Sequence, residues 1–69
     1  MNKTIVIEGM MCNNCARHAK EALEALGATN VNVVLEEKKA YLPDTNLTDE
    51  QIKEAIDKAG YDVVEIING

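Results

Sequence analysis

The chain has 69 residues, 46% of them hydrophobic, with seven basic against twelve acidic side chains and a formal net charge of −5. That length holds one domain with a thin core and one small site, and the aliphatic content argues against disorder. The acids are spread from Glu8 to Glu65, which argues against nucleic acid as a partner and against an anionic membrane surface. No apolar run approaches the roughly 18 residues of a membrane span, so no membrane insertion is expected. The start of the chain is too short in apolar residues for a signal-peptide core, which points to the cytoplasm.

Taken in chain order, the periodicity divides the sequence into six pieces. Thr4 to Glu8 is rich in β-branched residues and predicts a strand, with Ile5 and Ile7 on one face and Val6 on the other. Gly9 to Asn14 reads as a loop. A helical pattern begins at Cys15, with Ala16, Ala19, Leu23 and Leu26 at spacings of three and four. Asn13 or Asn14 is the expected cap, and Gly27 the expected stop.

Val31 to Leu35 predicts a second strand, with Val31, Val33 and Leu35 on one side. Glu36 to Lys39 is a polar hairpin connection, and Ala40 to Leu42 is a third strand that should stop at Pro43. Thr48 and Gln51 have the spacing of a capping box, opening a second helix with Ile52, Ala55, Ile56 and Ala59 as its apolar stripe and Gly60 as its end. Val63 to Ile67 is the last strand, of ambiguous facing because four of its five residues are apolar. The order β-α-β-β-α-β predicts an α+β, ferredoxin-like sandwich: a four-stranded antiparallel sheet with both helices on one side. The other sheet face would carry Val6, Val34 and Tyr41.

The two cysteines, Cys12 and Cys15, sit three positions apart at the expected helix start. In a reducing compartment this spacing signals metal or redox chemistry rather than a structural disulfide. Free N–H groups and the positive end of the helix favour anions there, and the thiolate is the form that binds metal or attacks a disulfide. Two soft anionic sulfurs suit a soft ion such as Cu(I). They suit Zn(II) less well, since zinc takes four tetrahedral ligands.

Gly9-Met10-Met11-Cys12-Asn13-Asn14-Cys15 resembles the GMxCxxC signature of the heavy-metal-associated domain, found in copper chaperones and in the N-terminal domains of metal-pumping P-type ATPases. Gly27 to Leu35, Lys39 to Asp44 and Ile56 to Tyr61 resemble further parts of the family pattern, so the likeness runs from about Thr4 to Ile66. It implies that residues 1–69 are a single such domain of the bacterial copper-chaperone type. It also implies that Cys12 and Cys15 hold one Cu(I) per chain and pass it on by ligand exchange, with Ag(I), Hg(II) or Zn(II) as substitutes. The implied recipient is a copper-transporting P-type ATPase or a copper-responsive regulator. The apo chain would be a monomer, with a metal-bridged dimer open to the loaded form.

Further side chains stand near the pair. Met10 matches a family methionine that packs beneath the loop. Met11 departs from the family's usual Ser or Thr and offers either an extra soft ligand or an apolar contact for a partner. Zinc and cadmium relatives often bring a carboxylate beside the cysteines, and Met11 in that place favours a soft monovalent ion. Asn14 stands where many copper chaperones carry histidine. His18, one turn after Cys15, could lean toward the site. Tyr61 matches a tyrosine whose hydroxyl lies near the thiolates in bacterial relatives. Arg17 and Lys20 read as a solvated face near the site. Two other classes compete with a free carrier: an excised regulatory domain of the ATPase, against which Met1 and the ending at Gly69 speak, and a thiol–disulfide oxidoreductase. Thioredoxin-type enzymes need a longer chain and a proline opposite the site, and Pro43 has no such place.

Overall fold

A computed structural model describes residues 2–68. The elements follow in the order β1 (Lys3–Glu8), α1 (Asn13–Glu24), β2 (Asn32–Val34), β3 (Lys39–Leu42), α2 (Asp49–Lys58) and β4 (Asp62–Asn68). The strands form one antiparallel sheet in the order β2-β3-β1-β4. Each helix therefore joins two parallel strands separated by a third, which is the split βαβ, ferredoxin-like arrangement.

The alternation in β1 explains the core. Ile5 and Ile7 are fully buried, as are Ala40 and Leu42 of β3, and they meet Ala19 and Leu23 of α1 and Ile52 and Ile56 of α2. Direct cross-strand partners share a face, so Val6 lies beside Lys39 and Glu65, and Thr4 beside Tyr41 and Ile67, on the side without helices. Val34, opposite Lys39, joins them. Across the sandwich, Lys3 Nζ holds Asp49 Oδ1 at 2.7 Å and ties the start of β1 to the start of α2.

Facing in β4 comes from an irregularity rather than from alternation. Register shifts between Val6 and Ile7, so that Ile5 opposes Ile66 while Ile7 opposes Val63, and Val64 is the extra residue. That bulge lets two residues three apart, Val63 and Ile66, both pack on the core. Val64 is left 59% exposed.

Several boundaries differ from the sequence expectations. Helix α1 begins at Asn13, not Cys15, and its cap is Cys12 rather than either asparagine. Met10 is the physical reason: its side chain is only 2% exposed, so the chain has already turned into the core three residues before the helix begins. Strand β2 is shorter than Val31 to Leu35, because Leu35 to Glu37 closes a 3₁₀ turn that ends with Lys38 at φ 57°. Helix α1 stops at Glu24, and Gly27 completes the turn that follows. The α2 capping box is as expected: Gln51 N–H donates to Thr48 Oγ1 at 3.2 Å, and Thr48 N–H to Gln51 Oε1 at 2.9 Å. Strand β3 stops at Leu42, before Pro43. No helix of the described residues is long and apolar enough to cross a membrane.

Candidate metal centre

Three elements converge at one end of the sheet. Strand β1 runs out at Glu8 directly opposite Asp62, where β4 begins. The β1–α1 loop and the α2–β4 connection are therefore neighbours by register alone. The second of these is a Schellman ending of α2: Gly60 N–H donates to Asp57 O at 3.0 Å and Tyr61 N–H to Ile56 O at 3.1 Å, with Gly60 at φ +98°. That ending directs Tyr61 over the core and toward the cysteine loop.

The loop itself alternates between inside and outside. Gly9 turns the chain at φ +101°, and a Cβ there would meet the Tyr61 ring at 3.4 Å. Met10 goes into the core, whereas Met11 is 82% exposed. Cys12 is extended (φ −154°, ψ 168°) and caps α1 with its backbone only, since its side chain makes no capping bond. Its thiol stays free for other work. Ala16 N–H donates to Cys12 O at 3.1 Å, which places Cys15 in the first turn.

The two sulfurs are 3.1 Å apart and hydrogen-bonded to each other, with Cys12 exposed and Cys15 half-buried. Cys15 is stabilised as an anion. The Tyr61 hydroxyl, the Cys12 thiol and the backbone N–H groups of Met11 and Cys12 all serve its sulfur and outweigh desolvation, lowering its pKa from 9.0 to about 7. No acidic residue stands in the first turn of α1 to oppose this. The same hydrogen bond to Cys15, with burial and the charge of the two sulfurs, pushes the Tyr61 hydroxyl above its ordinary value.

Of the remaining sequence candidates, Met10 is core, Met11 is solvent-exposed at the lip, and His18 is exposed on α1. Among the described residues no group of three or more His, Cys, Asp or Glu side chains is placed to hold a metal, so His18 does not complete a third corner with the two thiols. Arg17 and Lys20 are likewise exposed. The role of Gly9 escaped the sequence reading, as did the identity of the two backbone donors to Cys15, although free N–H groups at the helix start were expected. Only the glycine of the Gly9-Met10 pair was a signal for either. Chemically, the arrangement offers two convergent sulfurs, one of them poised near neutrality, open to solvent on one side and screened by a phenol on the other.

Residues 4–62 match the heavy-metal-associated domain family. The chain belongs to that family. It is 38% identical over 66 residues to the copper chaperone CopZ of Staphylococcus haemolyticus, covering 91% of this chain and 97% of that protein. Over 69 residues it is 42% identical to the mercuric reductase of Lysinibacillus sphaericus, which is 96% of this chain but 12% of that protein. Among solved structures, a copper binding domain from HMA7, a P-type ATPase, superposes with a TM-score of 0.84 at 28% identity, covering 99% of this chain and 96% of that one. As a heavy-metal-associated domain, the chain carries its CxxC pair at the loop where β1 meets α1.

Proposed function

We propose that residues 1–69 act as a single metal-carrying domain that binds one Cu(I) between Cys12 and Cys15 and delivers it, in the cytoplasm, to a copper-transporting P-type ATPase. The observation that carries this reading is the pair of sulfurs 3.1 Å apart at an open helix start, with no third His, Cys, Asp or Glu gathered around them among the described residues. A soft monovalent ion accepts two thiolates, while zinc prefers four ligands. The copper chaperone CopZ is matched over 97% of its own length, which favours copper and a carrier over mercury and an enzyme.

Transfer follows from the openness of the site. A partner thiolate adds to the bound Cu(I) and one Cys–Cu bond breaks; a second partner thiolate then replaces the remaining cysteine, so the ion moves without change of oxidation state. The departing sulfur is left as a thiolate, a form that Tyr61 and the backbone N–H groups stabilise at Cys15. Copper-loaded protein mixed anaerobically with an ATPase metal-binding domain, then separated from it, should lose copper to that domain within the mixing time. Retention of all the copper under these conditions would contradict the carrier role. A second reading, a metal-binding domain of the ATPase itself, is favoured by the likeness to the HMA7 domain. It predicts the same metal chemistry, with the transporter's own ion path as recipient.

A further inference from the structure

Among the large apolar side chains left in water, Met11 stands apart. It is 82% exposed, against 59% for Val64, 44% for Ile67 and 38% for Leu26. A lone exposed apolar residue is ordinary by itself. Its place in the loop is what distinguishes Met11, because it directly precedes Cys12, whose sulfur lies 3.1 Å from that of Cys15. The residue is thus fastened to the site through its main chain while its side chain remains unpacked.

We propose that the Met11 thioether is a third, reversible ligand that closes the open side of the Cu(I) ion and withdraws when a partner thiolate arrives; this rests on the copper-carrying reading above. The reach is sufficient. Consecutive Cα atoms lie about 3.8 Å apart and a methionine side chain spans about 4 Å from Cα to Sδ, so the Met11 sulfur can swing round to the thiol of Cys12, the residue it precedes. The other flank of Cys15 is occupied by the Tyr61 hydroxyl, so a third ligand from this chain approaches from the lip where Met11 stands. No His, Cys, Asp or Glu side chain competes for that place among the described residues.

The chemistry suits a cargo site. A thioether is neutral, soft and polarizable, so it satisfies a d¹⁰ ion without adding charge to a bis-thiolate complex. An arriving thiolate is the stronger donor and displaces it: one Cu–thioether contact breaks as one Cu–thiolate bond forms. The ion is shielded from solvent in transit and yet remains exchangeable.

The test uses Ag(I) and Cu(I) in thiol-free, chloride-free buffer, with methionine methyl carbons labelled. One equivalent of Ag(I) should shift the Met11 methyl resonance markedly while that of buried Met10 moves little. Met11→Leu keeps the apolar volume and removes the sulfur. It should weaken Cu(I) binding by about fivefold, a modest step beside the loss of a thiolate, with the melting temperature unchanged. Met11→Ser should weaken it equally. An unmoved Met11 methyl together with wild-type affinity in Met11→Leu overturns the inference and leaves Met11 as a contact for the partner. If the wild type itself fails to take up either ion, it is the carrier reading that falls.

Discussion

Cys15 is held near neutrality by its neighbours, and the direction of that shift fixes how the site responds to pH. With the folded pKa lowered from 9.0 to about 7, folding releases a proton from this thiol between those values. Its contribution to stability is complete above pH 9 and is lost as pH falls through 7. Metal affinity should therefore decline as the solution is acidified below 7, where Cu(I) must displace a proton from Cys15. Replacing Tyr61 by Phe removes the largest cause of the shift. Alkylation of Cys15, followed in Cys12→Ser so that one thiol reports, should show its midpoint moving upward on adding Tyr61→Phe, with the rate at pH 7 falling several-fold as thiolate is lost. An unchanged midpoint would mean that the phenol only packs. His18→Ala makes the opposite prediction: an exposed histidine outside the sulfur pair should leave Cu(I) affinity and stoichiometry as they were.

At the scale of elements, the site depends on how two connections are held. Gly9 takes a positive φ and presents its hydrogen to the Tyr61 ring, so Gly9→Ala strains the backbone and presses the ring at once. That variant should fold with a lower melting temperature and a raised Cys15 midpoint, readable in the same alkylation assay. The elements themselves were largely legible in the chain. Alternation marked β1, the three-and-four spacing marked both helices, and Thr48 with Gln51 marked the start of α2, because each is a local rule with a local cause. The cap of α1 was not. Asparagine is the better capping residue in isolation, yet burial of Met10 two residues earlier fixed the entry of the chain and put Cys12 in that place. Nor was the facing of β4, since the bulge at Val64 exists only through pairing with a strand more than fifty residues away. The CxxC spacing foretold two thiols at a helix start. Free backbone N–H groups were expected there too, but not that Met11 and Cys12, ahead of the helix proper, would supply them.

On the scale of the molecule, a small aliphatic core carries an exposed site at one end, and the two should be separable. The interior is filled by residues such as Ile56, Leu23 and Ile7, and the thiols stand outside it. Ile56→Ala should cost about 2–5 kcal/mol, enough to unfold much of so small a domain, as followed by thermal melting. Cys12→Ser should leave the melt of the apo protein close to wild type while removing the metal site. The most direct test of the whole account is anaerobic titration of the fully reduced protein with Cu(I) against a chelator of known strength. The account predicts one copper ion per chain, lost on replacing either Cys12 or Cys15 by serine. Failure to compete for Cu(I), or undiminished uptake by the serine variants, would contradict it.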